Sequence, residues 1–239
     1  SNYKTNVNLI KRKLEQELLS DDYDVYVGFL NDSNYIEEVL IDISNKGYKD
    51  VIVVPIFIDE NDLYMKAKKR IDNMNLYNLD VNIKYTETLS SSEKVVKSYV
   101  EKINKQIRKE SRSYTSVILI GNAENKLQES SMFRNKIEVF LQNHLKLEDH
   151  KVKKAWFQSP KSDYIDTVRN ALEYGIGELI LVYINPGVTN IDNDKILRSI
   201  NKKIRIPEAV SIKVIDGFLI GDSFVEDIKN RIELSNLQD

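Results

Sequence analysis

The sequence predicts an α/β protein built from two tandem doubly wound parallel-sheet domains. Predicted strands and helices alternate strictly along the chain, an order that produces right-handed crossovers and parallel sheets. The run Val-Ile-Val-Val-Pro-Ile-Phe-Ile at 51–58 is apolar on both faces of a strand, as a sheet covered by helices on both sides requires. Similar segments also recur about 128 residues apart. We therefore predict one domain at 1–110 and a second at 115–239.

The first half of the chain is predicted from its apolar spacing. Leu9, Leu14 and Leu18 recur at helical intervals, and a short run typical of a strand follows them. Gly47 is in the position of a residue that ends a helix. The expected helices lie at 9–18, 35–44, 63–74 and 92–109, and the expected strands at 25–30, 51–58 and 81–85.

The second half begins after a polar stretch at 109–114, which has no apolar period and is predicted to be a linker. Alternation of strand and helix then starts again. The expected strands lie at 116–120, 152–157, 178–184 and 210–215, and the expected helices at 132–144, 164–174, 195–203 and 223–234.

The two halves resemble each other in their letters as well as in their elements. Residues 33–39 match 162–168 at an offset of 129, and 47–54 match 175–182 at an offset of 128. This register predicts a duplication. It also places the counterpart of the strand at 116–120 before residue 1, so we expect a further strand upstream or one supplied from elsewhere in the assembly.

Bulk composition excludes several kinds of protein. The 239 residues carry 35 basic and 37 acidic side chains, so the net charge of -2 favours neither nucleic acid nor a membrane surface as partner. Cysteine is absent, which excludes thiolate nucleophiles, cysteine zinc sites and disulfides. There is neither an apolar run of membrane-spanning length nor a signal-peptide core, and we expect a cytoplasmic protein.

The strongest candidate for chemistry is Asp59-Glu60-Asn61-Asp62, directly after the run at 51–58. Ligands of open parallel sheets bind beyond the carboxyl ends of the strands, and carboxylate oxygens suit a hard divalent cation. The segment has an alternative interpretation: it precedes a predicted helix, whose N-terminus also favours negative charge.

Other polar residues follow predicted strands in the second half. Gly121-Asn122-Ala123 lacks the glycine spacing and the lysine of a phosphate loop. The two histidines, His144 and His150, are expected at the opposite, amino ends of the strands. Trp156 and Phe157 are expected in the core. The remaining strand-end candidates are Asn31, Asp32, Glu124, Gln158, Ser159, Asn185, Gly187 and Thr189.

The chain resembles the class II chelatases, which include the sirohydrochlorin cobalt and nickel chelatases and, more distantly, ferrochelatase. The resemblance rests on a strand ending at Phe29 or Phe157, followed by Ser-x-Tyr-Ile and an acidic residue. It continues with Gly47 or Gly175 and the apolar run after each, and with Asp-Gly-Phe-Leu-Ile-Gly at 216–221. These features cover most of both halves.

The resemblance implies two domains that face each other across a cleft for a planar tetrapyrrole. In the family, histidines at strand ends bind the metal ion and accept the pyrrole protons, which imidazole does well near neutral pH. Those positions fall here on Asn122, near Leu63 and on Thr189, so the histidines are absent at each of them. An upstream strand could also supply one.

The resemblance therefore assigns other residues to the site. We expect Glu60, Asp62 and Glu124 to act as bases, and Asp59, Glu60 and Asp62 to bind the metal. Asn122, Asn185, Gly187 and Thr189 are expected to contact the tetrapyrrole.

The expected activity is insertion of divalent cobalt, nickel or iron into a sirohydrochlorin-type tetrapyrrole, with no organic cofactor. Because both domains lie in one chain, a monomer is expected. The first alternative is a non-catalytic homologue that binds tetrapyrrole or metal and has lost the histidines. The second is a small-molecule binding domain of the periplasmic type, against which the absence of a signal peptide argues.

Overall fold

The computed structural model describes residues 2–19, 23–31, 33–74, 79–122, 127–148, 151–157, 163–184, 193–215, 217, 219 and 221–237. Within them the helices are α1 (Asn2–Glu17), α2 (Ile36–Asn45), α3 (Asp62–Met74), α4 (Glu93–Asn104), α5 (Leu127–Leu145), α6 (Tyr164–Glu173), α7 (Asn193–Lys203) and α8 (Asp222–Asn236). The strands are β1 (Asp50–Val53), β2 (Asn82–Tyr85), β3 (Thr115–Asn122), β4 (Val152–Phe157), β5 (Glu178–Tyr183) and β6 (Ser211–Ile215). Short 3-10 helices occupy Leu89–Ser91 and Lys109–Tyr114.

The chain divides into two compact units. Unit 1 consists of Ser1–Ser92 together with Ile220–Asp239, and unit 2 of Glu93–Leu219. This division differs from the predicted boundary at 110–115, because α4 packs on α5 in unit 2 while α8 packs on α1 in unit 1. No helix among the described residues is both long and apolar enough to span a bilayer.

Unit 1 contains a parallel pair, β1 with β2, in which Asp50 lies opposite Asn82 and Val53 opposite Tyr85. The small core beside this pair comes from the apolar faces of α2 and α3. Its buried members are Leu40, Ile71 and Met74, and Ile36, Val51, Val53, Leu79, Ile83 and Tyr85 pack against them half-buried.

Unit 2 contains a four-stranded parallel sheet in the order β4-β3-β5-β6. The predicted α/β class and parallel pairing are therefore confirmed. All six residues of β5 are buried, as expected of a strand covered on both faces. Helices α6 and α7 close one face with the cluster Ile118, Ile120, Ala155, Tyr164, Ile165, Val168, Ala171, Leu179, Leu181, Tyr183, Ile196 and Ile200.

Two glycines end corresponding helices. Gly47 has φ +85° and Gly175 has φ +71°, a left-handed conformation that glycine adopts without steric cost. The N–H of Gly47 donates to Ser44 O at 3.0 Å, and that of Gly175 donates to Leu172 O at 3.2 Å. The predicted helix stop at Gly47 is thus confirmed.

The repeat inferred from the letters has a parallel in the element bounds. Ile36 begins α2 and Tyr164 begins α6, 128 residues later. The same difference separates Asp50 at the start of β1 from Glu178 at the start of β5.

The predicted strand at 25–30 is wrong: the segment has only an isolated bridge, between Phe29 and Tyr35. Its polar backbone groups bond locally instead. Phe29 N donates to Asn34 O, Phe29 O accepts from Ile36 N, and the Asn34 side chain donates to Val27 O. A local turn thus takes hydrogen bonds that a sheet ladder would need.

Several other boundaries differ from expectation, including the starts of α1 at Asn2 and of α5 at Leu127. Strand β1 ends at Val53, because Pro55 has no N–H to continue a ladder, although Leu89 N still donates to Phe57 O at 2.9 Å. Helix α4 ends at Asn104 rather than near residue 109. The predicted linker is a 3-10 helix over Lys109–Tyr114.

A buried ionic network joins α8 to the loop after β2 inside unit 1. Arg231 Nε donates to Asp227 Oδ2 at 2.7 Å, and Arg231 Nη1 donates to the carbonyl oxygens of Glu87 and Thr88, each at 2.8 Å. Asp227 also accepts from the Ser92 hydroxyl. Both charged side chains are buried, so each depends on the other and on these polar contacts.

We expect Asp227→Ala to lower the free energy of unfolding by about 3 kcal/mol, because it leaves the Arg231 guanidinium buried without its carboxylate. Urea unfolding followed by circular dichroism measures the change. Asp222→Ala on the same helix is the control, since the Asp222 carboxylate is exposed and pairs with Lys13 at the surface. Equal midpoints for the two variants would contradict a stabilising role for the network.

Candidate functional site

The acidic segment Asp59–Asp62 lies where the sequence places it, after β1 and at the start of α3. Asp59 is buried, with 4% of its surface exposed, whereas Glu60 and Asp62 are exposed. Asn61 Oδ1 accepts from Tyr64 N at 3.0 Å, so its side chain caps α3. The interpretation of this segment as a helix start therefore has direct structural support.

The environment of α3 is rich in tyrosine and carboxylate. Tyr64 packs edge-on against Phe57, with ring centres 6.0 Å apart. Burial raises the pKa of Tyr64, and the carboxylates of Glu60 and Asp72 raise it further. Burial and a 2.7 Å hydrogen bond to Asp72 also raise the pKa of Tyr85. Both phenols remain neutral donors at physiological pH.

An ion pair ties α2 to α3 at the same end of unit 1. Arg70 Nε and Nη2 donate to the two carboxylate oxygens of Glu37 at 2.5 and 2.6 Å, and Arg70 Nη1 donates to Leu30 O. The hydrogen bond from Arg70 is the largest cause of the lowered pKa of Glu37. The guanidinium also lies 5.9 Å from the ring centre of the exposed Tyr35. Arg70 thus fixes the carboxyl end of the 25–30 segment.

Aromatic side chains line the carboxyl ends of β4 and β5 in unit 2. Phe157 stacks on Tyr164 with ring centres 5.6 Å apart and meets Tyr183 edge-on at 5.8 Å. Burial raises the pKa of Tyr164. Phe157 and Trp156 are half-buried rather than fully in the core, and as neighbours in a strand they point to opposite faces of the sheet.

Arg134, from α5, lies on the other face of these strand ends. Its side chain is 1% exposed and its guanidinium carbon lies 3.8 Å from the centre of the Trp156 ring. Burial lowers the pKa of Arg134 to about 10, which still leaves it cationic at neutral pH.

The remaining predicted residues are only partly described. Asn122 ends β3, where it pairs with Phe157 on β4, and Leu63 lies half-buried in α3. Glu124, Asn185, Gly187 and Thr189 lie outside the described residues, as do Asp32, Ala123, Gln158, Ser159 and His150. His144 is exposed in the last turn of α5, stacked on Phe140 with ring centres 5.1 Å apart.

Across the part of the chain that the structure describes, no group of three or more histidine, cysteine, aspartate or glutamate side chains is placed to hold a metal ion. The structure therefore does not bring Asp59, Glu60 and Asp62 together as a three-carboxylate site. Their roles as metal ligands and bases stay predictions. Single carboxylates are available at this edge, and each can ligate a metal ion or accept a proton.

Sequence reasoning missed the three arginines of these networks: Arg70, Arg134 and Arg231. The helical spacing of the sequence indicates that two of them, Arg134 and Arg231, lie on buried helix faces. Arg134 precedes the buried Ile137 and Leu141 by three and seven residues, and Arg231 follows the buried Ile228 by three. A charged residue on an apolar helix face indicates a buried charge that must find partners in the fold.

Both units are α/β, and polar or aromatic side chains lie at or beyond the carboxyl ends of their strands. The CbiX family model matches residues 2–106, a little under half of the chain. No curated protein matches the sequence significantly.

Solved structures with the same fold include SirB from Bacillus subtilis with Fe3+, at a TM-score of 0.75 and 16% identity, covering 98% of this chain and 90% of SirB. Sirohydrochlorin chelatase SirB from Bacillus subtilis subspecies spizizenii in complex with cobalt gives 0.69 and 14%, with coverage of 95% and 88%. DR2241 from Deinococcus radiodurans, a multi-domain protein with structural similarity to chelatases, gives 0.59 and 14%, with coverage of 95% and 50%.

The fold is that of the chelatases, two α/β units with parallel sheets. Residues 2–106 match the CbiX family model as well, in agreement with the resemblance to the class II chelatases that the sequence motifs predicted.

We expect Asn61→Ala to lower the free energy of unfolding by about 1 kcal/mol, because it removes the cap of α3. Thermal unfolding measures the change. Asn73→Ala, at an exposed position near the other end of α3, is the matched control and should have a smaller effect. If both variants were as stable as the wild type, the acidic segment would need an explanation other than a capped helix start.

We expect Glu37→Gln to lower the free energy of unfolding at neutral pH by about 1 kcal/mol, the upper value for a partly exposed pair. Because the folded-state pKa of Glu37 lies below its ordinary value, the wild type loses this stability as pH falls through that pKa. The two proteins should therefore converge in acid when urea midpoints are compared across pH. A difference that stayed constant down to the acid limit would show that the ion pair is not its source.

Proposed function

We propose that the protein is a chelatase that inserts divalent cobalt, nickel or iron into a sirohydrochlorin-type tetrapyrrole. The observation that carries this proposal is the match of residues 2–106 to the CbiX family, joined to a fold shared with SirB over 98% of the chain. The SirB structures contain Fe3+ and cobalt. Ions of these two elements are therefore the first substrates to test.

Insertion exchanges one divalent ion for two pyrrole N–H protons, so the site must deliver an ion and remove two protons. Without histidine at the family positions, carboxylates are the groups left for both tasks. We assign the proton acceptors as Glu60 and Asp62, with Glu124 from unit 2. Asp59, Glu60 and Asp62 are proposed to present the ion as single carboxylates, since the structure does not gather the three into one site.

The tetrapyrrole is proposed to contact the carboxyl edge of unit 2. Asn122 and Asn185 carry amide donors suited to the carboxylate side chains of such a ligand, and Thr189 carries a hydroxyl. Gly187 lacks a Cβ, which lets a flat ring approach the backbone closely. The aromatic cluster of Phe157, Tyr164 and Tyr183 lies at the same edge and stiffens it.

The cellular setting proposed is a monomer in the cytoplasm, because one chain supplies both units and no cysteine is present to use an oxidising compartment. The shared offset of helix starts and strand starts supports an origin of the two units by duplication.

A second candidate is a non-catalytic homologue that binds the tetrapyrrole or metal. The observation that favours it is the sequence at the family's histidine positions, where Asn122 and Thr189 do not titrate near neutral pH and Leu63 cannot bind metal. It predicts saturable binding without turnover.

Absorption spectroscopy of the purified protein with sirohydrochlorin and Co2+, Ni2+ or Fe2+ tests both candidates. We expect metal insertion faster than the spontaneous reaction. Saturable spectral change with only the spontaneous rate would support the binding homologue instead. Absence of any spectral change at high micromolar tetrapyrrole would exclude both.

The triple variant Asp59→Asn, Glu60→Gln, Asp62→Asn should lower the insertion rate by about two orders of magnitude, the usual effect of losing a general base. The matched control is Glu17→Gln, Asp42→Asn, Glu101→Gln, which changes net charge equally at exposed positions. Unchanged insertion by the first variant would remove these three residues from the mechanism.

A further inference from the structure

Arg134 joins the carboxyl ends of two neighbouring strands of unit 2. Its Nη1 group donates to Leu119 O on β3 at 3.2 Å and to Ala155 O on β4 at 2.5 Å. Leu119 lies three residues before the end of β3, and Ala155 two before the end of β4. One planar cation thus bonds to both strands just before they end.

Gly121 makes room for this guanidinium. A Cβ at this position would lie 2.9 Å from Arg134 Cζ, closer than real Cβ contacts come, and 3.0 Å from Trp156 Cζ3, tighter than most of them. Gly121 and Trp156 are paired across β3 and β4, so the cation is held between a bare backbone and an indole face 3.8 Å away. The sequence singled out Gly121-Asn122-Ala123 without a purpose for its glycine, and this contact supplies one.

Burying the Arg134 cation in a core costs free energy, because the charged group loses its hydration. Replacing buried charges by apolar side chains of similar volume is often neutral or stabilising. Arg134 is 1% exposed, so a ligand does not touch it. Its hydrogen bonds reach β3 and β4 close to Asn122 and Phe157, the residues that end these two strands.

We propose that Arg134, cradled by Gly121 and Trp156, is a positioning residue that holds the carboxyl ends of β3 and β4 in register for the tetrapyrrole. The inference rests on the proposed function, because the tetrapyrrole is the ligand whose contact it sets. Removing Arg134 frees the two strand ends from each other and misplaces the groups that follow them. The effect appears in ligand affinity rather than in folding.

The test titrates sirohydrochlorin, without metal, into the full chain and three variants: Arg134→Met, Arg134→Lys and Gly121→Ala. Tetrapyrrole absorption gives the Kd, and the emission of Trp156, the single tryptophan of the chain, reports on the strand ends themselves. Arg205→Met is the matched control, since Arg205 is exposed in the same unit. Circular dichroism melting records stability for each protein.

For Arg134→Met and Gly121→Ala we expect Kd to rise about tenfold, the usual effect of losing a group that orients a ligand contact. Arg134→Lys should recover part of the affinity, because it keeps the charge but not the planar fork. Arg205→Met should bind as the wild type does. Gly121→Ala keeps the arginine and displaces it, so the test stands if Arg134→Met folds poorly.

Two results would overturn the inference, and they differ. Wild-type protein that gives no saturable change with sirohydrochlorin would refute the proposed function and this inference with it. Wild-type binding with unchanged Kd in Arg134→Met and Gly121→Ala would refute the positioning role alone, even if both variants melted at lower temperature.

Discussion

Strand β3 is the element on which unit 2 depends, because it pairs with β4 over 117–122 on one side and with β5 over 115–120 on the other. Its residues Val117 to Ile120 have no exposed surface, so their peptide groups need partners inside the protein, which the two neighbouring strands supply, with Arg134 also donating to Leu119 O. Parallel pairing then requires every connection to cross over the sheet, and the crossovers are the helices that bury its faces. The same requirement gathers the strand ends at one edge, where the Phe157 and Tyr183 rings are in contact and Asn122 ends β3. Fold and site are thus consequences of one buried ladder.

Sequence patterns predicted those parts of the structure that depend on local periodicity. Strand β5 and the helix end at Gly47 came out as expected, because an apolar run and a glycine that ends a helix leave direct marks in the letters. The 25–30 segment did not, because Asn34 offers a local turn that competes with the ladder, and no apolar pattern records that competition. Sheet topology predicted candidates at the carboxyl ends of the strands. It did not predict the contacts of Arg70 and Arg134, because these side chains lie on helices and bond to backbone that is distant in sequence. Which partner a buried charge finds is decided by packing in three dimensions.

In the described parts of both units, carboxylates, tyrosines and arginines lie at the strand-end edges. The resemblance to the class II chelatases predicts histidine side chains there. These groups differ in what they can do: a carboxylate binds hard ions and accepts protons weakly, and a buried guanidinium holds backbone in place. Arg134 in unit 2 shows the second role, and the half-buried Arg70 in unit 1 acts similarly, since each donates to backbone carbonyls near the end of an extended segment. An edge held by charges can keep its shape while the residues on it vary. That is one way for the fold shared with SirB to persist at 16% identity.

The assignment of α8 to unit 1 has a consequence for the order in which the chain folds. Unit 2 is one continuous segment, Glu93–Leu219, whereas unit 1 needs Ile220–Asp239, which is synthesised after all of unit 2. The Arg231 and Asp227 network that ties α8 to the loop after β2 therefore forms only after unit 2 has been made. In most multidomain chains the amino-terminal domain folds first. Here unit 2 can finish folding first, because unit 1 stays incomplete until α8 has been synthesised.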